Sequence, residues 1–162
     1  MALIRVGMAE AKTGQPGDKL QALGLGSCVG VLCYDRQTRS AGMVHVMLPN
    51  SEVGRGNLGQ PGKFADTGIP LLIDMVERAG AVKSRLVVKI AGGAEMFSFA
   101  GSDAPRLAIG QRNIAAVKQQ LASFGLRVSA EDVGGNSGRT FEFDVDTQTA
   151  TIKILGKEEK LL

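Results

Sequence analysis

The stretch Cys28-Val-Gly-Val-Leu-Cys-Tyr34, Asp35-Arg-Gln-Thr-Arg-Ser40, Ala41-Gly-Met-Val-His-Val-Met-Leu48 decides the fold. Two apolar runs of strand length flank a polar turn, and Pro49 follows as a residue that cannot donate to a continuing ladder. This pattern predicts an antiparallel hairpin. With the turn centred between Arg36 and Gln37, opposed residues carry numbers that sum to 73, and Cys28 lies directly across from His45. A turn centred one residue later gives sums of 75. Cys28 and His45 then share a face as diagonal neighbours, roughly 7–8 Å apart between backbones. A slip of one residue sends them to opposite faces.

Outward from the hairpin, Leu3 to Met8 reads as a short strand and Gly14 to Lys19 as a loop. Asn50 to Lys63 is glycine-rich and polar, a loop able to close over a neighbouring site. Ala65 to Ala79 places Ile69, Leu72, Ile73, Val76 and Ala79 on one helical face before Gly80, with Pro70 tolerated near the first turn or delaying the helix. Arg85 to Ile90 reads as a strand running into Gly92-Gly93. Arg112 to Phe124 is a second helix, presenting Ile114, Val117, Leu121 and Phe124. Strands follow over Arg127 to Val133, Thr140 to Val145 and Thr149 to Leu155. Strands at both ends around two main helices predict a single α+β layered domain over 1–156 with a mainly antiparallel sheet arrangement. A charged tail covers 157–162.

The chain's 162 residues suffice for one self-sufficient core, and 22 glycines with no tryptophan point to tight turns around aliphatic packing. A net charge of +3 with scattered basic residues argues against nucleic acid as a partner. Arg5 interrupts the first apolar run at once, and no stretch approaches the roughly 18 apolar residues of a membrane span, so a cytoplasmic protein without membrane insertion is expected. Cys28 and Cys33 fall on opposite faces of one strand, which disfavours a mutual disulfide or a shared metal. No metal or organic cofactor is implied.

His45 is the only histidine, and Cys28 stands where a glycine-rich turn becomes an apolar run. An imidazole beside a thiol can take its proton and leave a strong nucleophile, so the pair reads as the dyad of a cysteine hydrolase. Gly24 and Gly26 allow a sharp turn whose N–H groups, including that of Cys28, could stabilise an oxyanion. Ser27 and Gly26 are supporting candidates. The glycines at 24, 26 and 30 miss the dinucleotide spacing. Met96, Phe97 and Phe99 are candidates either for a docking surface or for covering the core edge, whereas Arg112, Asn113 and Arg139 suit caps or braces.

Gly24-Leu-Gly-Ser-Cys28-Val, His45-Val-Met-Leu-Pro49, Lys63-Phe-Ala-Asp-Thr67, Lys89-Ile-Ala-Gly-Gly-Ala94-Glu-Met96, Ile109-Gly-Gln-Arg-Asn113 and Asp132-Val-Gly-Gly-Asn-Ser-Gly-Arg139 stand in the order of the CheD family. The chain thus resembles the chemoreceptor glutamine deamidases of chemotaxis, from about Val6 to Ile154. The resemblance implies that Cys28 is the nucleophile and His45 its base. It implies hydrolysis of receptor glutamines to glutamate through a cysteine thioester, with receptor signalling helices as substrate and the CheC phosphatase as partner. It also implies a three-layer fold similar to cytotoxic necrotizing factor-like cysteine hydrolases. Two positions depart from the family pattern. Ala22 stands where members often carry the third triad residue, a threonine, and Phe64 where they tend to carry tyrosine. Ala22 cannot accept a hydrogen bond through its side chain, which implies either reduced activity or replacement of the orienting group by a backbone carbonyl or another side chain. It also motivates a rival, a regulatory binding module for receptors or CheC with weak or absent turnover; a third reading is a small-molecule cysteine amidase on the same scaffold.

Overall fold

The computed structural model describes residues 2–52, 59–96 and 108–162. In chain order its elements are β1 (Ala2–Arg5), β2 (Ala11–Gly14), β3 (Asp18–Leu25), β4 (Val29–Asp35), β5 (Ser40–Val46), α1 (Ala65–Arg78), β6 (Leu86–Gly92), α2 (Ile109–Ser123), β7 (Val128–Val133), β8 (Arg139–Asp144), β9 (Thr149–Lys153) and β10 (Lys160–Leu161). One sheet has the order β2-β5-β4-β6-β7 and the other β1-β3-β8-β9-β10. Most neighbours run antiparallel, but β1 with β3 and β6 with β7 are parallel, so both sheets are mixed.

The hairpin is the centre of the molecule. Every residue of β4 and β5 is buried because the strands are covered on both faces, which explains their unbroken apolar runs. Val29, Val31, Cys33, Val44 and Val46 pack under Ile69, Leu72 and Val76 of α1 and Ile114, Val117 and Leu121 of α2. On the other face Leu32, Tyr34, Ala41 and Met43 meet Leu20, Ala22, Leu25, Phe141 and Phe143 of the second sheet. The result is an α+β domain of three layers, helices on one sheet and that sheet on the other. Gly42 lets α1 sit close, since a Cβ there would lie 2.6 Å from Val76 Cγ1. The two cysteines part as alternation requires, Cys33 toward the helices and Cys28 toward the second sheet.

Two local expectations are corrected, and the strand β3 was not expected. β1 ends at Arg5, because residues 7–10 fold back in a turn closed by Glu10 N–H on the Gly7 carbonyl at 3.0 Å. The predicted loop over Gly14 to Lys19 is a tight turn at Gly17 (φ 99°) that carries the chain from β2 in one sheet to β3 in the other. The strand β3 was hidden by its polar alternation and by Gly24, which adopts φ 61° beside a bulge between Ala22 and Leu25. Pro70 lies within α1, which begins at Ala65 without delay. Lys160–Leu161 pairs with Ile152 and Thr151 of β9.

Candidate active site

The β4–β5 ladder pairs Gly30 with His45 and Val29 with Val46, the register whose sums are 75. Cys28 is one residue beyond the ladder and packs against the inter-sheet cluster, on the face that Gly30 and His45 share. Of the two same-face registers open to the sequence, the diagonal one is adopted. Gly30 keeps the position directly opposite His45 free of a side chain; a Cβ there would press on Leu25 Cδ1 and Phe141 Cδ2, each at 3.2 Å.

The turn carrying Cys28 is held through its carbonyls. Ala94 N–H donates to the Gly26 carbonyl and Gly93 N–H to the Cys28 carbonyl, both at 2.8 Å. Asn113 Nδ2 donates to the Ser27 carbonyl at 2.9 Å. The close approach of Gly92 (φ 113°) to this turn requires glycine, because a Cβ would fall 2.1 Å from the Cys28 oxygen. Met96 lies over Gly26, where a Cβ would meet its Cγ at 3.1 Å, and remains exposed. Phe97 and Phe99 lie outside the described residues.

His45 is fixed from its own backbone outward. Its N–H donates to the Glu10 carbonyl at 2.9 Å, and its carbonyl accepts from Ala9 N–H at 3.0 Å. Its Nδ1 lies 3.1 Å from the Val6 carbonyl. A carbonyl only accepts, so Nδ1 carries the proton and Nε2 carries the lone pair. Nε2 is buried and has no partner among the described residues. Burial outweighs the Val6 carbonyl and the Glu10 charge and lowers the imidazole below its ordinary value, so the ring is neutral at neutral pH. Burial likewise pushes the half-buried Cys28 thiol up, against a smaller opposing pull from its own N–H. Cys33, fully buried, is pushed up to about 12. The resting pair is therefore thiol and neutral imidazole.

Ala22 is buried on the inner face of β3, and the Nδ1 partner is the main-chain oxygen of Val6. No side-chain pattern could announce that contact. Beside His45 opens a cleft of about 240 Å³ walled by Val6, Gly7, Met8, Gln21 and Leu23; Cys28 is not part of that wall. Ser27 contributes its carbonyl to the contacts of the turn. Arg139 braces the β7–β8 connection, its guanidinium donating to the Asp132 carbonyl at 2.8 Å, the Ser137 carbonyl at 3.0 Å and the Gly134 carbonyl. Among the described residues no three His, Cys, Asp or Glu cluster as metal ligands. Among the same residues no helix is long and apolar enough to cross a membrane.

The family model for CheD chemotactic sensory transduction matches residues 47–154. Pairwise matches extend over Cys28 and His45 as well. The chain is 48% identical over 162 residues to "Probable chemoreceptor glutamine deamidase CheD" of Desulforamulus reducens, covering 99% of this chain and 96% of that one. It is 44% identical over 158 residues to "Chemoreceptor glutamine deamidase CheD" of Halalkalibacterium halodurans, covering 98% and 97%. With "Chemoreceptor glutamine deamidase CheD" of Bacillus velezensis it shares 45% identity over 143 residues, covering 88% and 86%.

Proposed function

Because the chain belongs to the CheD family, we propose that it hydrolyses glutamine side chains of chemoreceptors to glutamate, releasing ammonia, with Cys28 as nucleophile and His45 as general base and acid. The observation that carries the residue assignment is the His45 ring itself. Nδ1 is tied to Val6, Nε2 is unpartnered, and the ring is on the face that Cys28 shares.

In this mechanism Nε2 takes the Cys28 proton as sulfur attacks the carboxamide carbon. The imidazolium then returns that proton to the departing nitrogen, leaving ammonia and a thioester. Water, deprotonated by the same Nε2, attacks the thioester carbon. Collapse frees glutamate and restores the thiol. The Val6 carbonyl orients the imidazole and steadies its cationic form, the part played by a carboxylate or hydroxyl in other triads. Ala22 is therefore no obstacle to turnover, which favours the enzyme over a binding module.

Met8 and Leu23, which wall the cleft beside His45, and Met96, over Gly26, are exposed apolar side chains, suited to an amphipathic receptor helix and to the CheC phosphatase as a competing partner. We place the protein in the cytoplasm, where such helices are accessible. We assign its helix-on-sheet-on-sheet layering to the cytotoxic necrotizing factor-like type. Ammonia release from a purified receptor cytoplasmic fragment tests the function. Wild-type turnover that disappears in Cys28→Ala is expected; binding without wild-type turnover would overturn it.

A further inference from the structure

Beyond Val29 and Val46 the two central strands part. Met47 and Leu48 turn away, both N–H groups donating to the Lys63 carbonyl at 2.8 and 3.0 Å, while residues 26–28 bend toward Gly93 and Ala94. Cys28 sits at the mouth of this split, so its distance from His45 is not set by the ladder.

One side chain spans the gap. Asn113, on the inner face of α2 and fully buried, donates from Nδ2 to the Ser27 carbonyl and to the Met47 carbonyl, each at 2.9 Å. Both partners are acceptors only, so the amide can face them in one orientation, with its NH₂ end forward. Ser27 adjoins Cys28, and Met47 is two residues past His45. An asparagine in line with Val117 and Leu121, on a helix face otherwise buried in the apolar core, is costly unless its bonds are made. Here both donors are used, and both on the two segments that carry the candidate dyad. Oδ1 has no partner among the described residues, so the contribution of Asn113 is concentrated in this clasp.

We propose that Asn113 is the positioning residue of the deamidation, fixing the separation of the Cys28 turn from the His45 strand. The proposal rests on the assignment of Cys28 and His45 above, and it goes beyond it by naming what holds them in register where the ladder ends.

The test is a double-mutant cycle in the full chain, read by Cys28 alkylation with iodoacetamide and by turnover of a receptor fragment. His45→Gln is expected to change the Cys28 alkylation rate in the wild-type background and to leave it unchanged in an Asn113→Ala background. Asn113→Ala should lower kcat roughly 10- to 100-fold with KM within about twofold. Val117→Ala, a cavity on the same helix, supplies a destabilised control that keeps kcat and the coupling. Asn113→Ser, which retains one donor, is read in the same way and replaces Asn113→Ala if that variant does not fold. A His45 effect on alkylation that persists undiminished in the Asn113 variants, or equal kcat losses in Asn113→Ala and Val117→Ala, would overturn the proposal. Absence of any His45 effect in the wild-type background would overturn the dyad together with it. Alkylation coupling without receptor turnover would overturn only the deamidase function.

Discussion

The main-chain carbonyl of Val6 accepts the Nδ1 proton of His45 at 3.1 Å. A backbone group thereby fixes the tautomer of the only imidazole in the chain and turns its basic nitrogen inward. The same contact raises the imidazole's affinity for a proton, but burial lowers it by more.

The acid limb of activity follows from that balance. A base must be neutral, and a ring held below the ordinary 6.5 stays neutral to lower pH than a free histidine. A kcat/KM profile on a receptor fragment should therefore retain activity through pH 6.5 and fall only below it. An acid limb centred above 6.5 would contradict the burial argument.

Gly92→Ala should injure both stability and turnover. The new Cβ would fall 2.1 Å from the Cys28 oxygen at a φ of 113°, a conformation that L side chains rarely adopt. A loss of about 3 kcal/mol in chemical denaturation is expected, with kcat lowered because the Cys28 turn must move. A variant as stable and active as wild type would show that the turn is not fixed by this approach.

Asp35 anchors the far end of the hairpin. Its side chain is fully buried and accepts from Gln37 N–H and Val82 N–H, each at 2.9 Å, and from Arg85 Nη2 at 2.9 Å. The Arg85 guanidinium, chiefly, holds its carboxyl well below the ordinary 3.8. A carboxyl with a lowered folded value contributes stability that is present above pH 3.8 and is lost as pH falls below it. Asp35→Ala should cost about 3 kcal/mol or more at pH 7, since the backbone N–H groups and the Arg85 guanidinium that donate to it lose a buried partner. The gap from wild type should narrow in denaturation curves taken below pH 3.8.

Met96 covers Gly26 yet is 47% exposed. If it meets the receptor, Met96→Ala should raise KM for a receptor fragment roughly tenfold while hydrolysis of a small glutamine substrate is unchanged. Equal loss on both substrates would assign Met96 to the Cys28 turn instead.

What the sequence made legible tracks what side chains encode. Both central strands, both helices and the three later strands carry apolar runs or a 3.6-residue period and fall within a few residues of the observed elements. β2 and β3 do not: β2 is a four-residue strand at a sheet edge, and β3 is polar at Asp18, Lys19 and Gln21 and bent at Gly24, so neither stands out from a glycine-rich loop. Cys28 and His45 were visible as residue types, but their shared face held in only two of the registers open to the sequence, since a slip of one residue parts them. The choice between sums of 73 and 75 was not legible, since it depends on where the Asp35 to Ser40 turn is centred. Val6 was invisible in principle, as any residue supplies a carbonyl. Asn113 left a trace, a polar residue in line with Val117 and Leu121, which suggested a brace without naming its two partners.

The most direct test uses the two cysteines against each other. Receptor fragment treated with wild-type, Cys28→Ala or Cys33→Ala protein is read by mass spectrometry for the roughly 1 Da gain of each deamidated glutamine, alongside ammonia release. Conversion by wild type and Cys33→Ala, with none above background by Cys28→Ala, is the predicted result. Conversion that survives Cys28→Ala would contradict the assignment of the nucleophile.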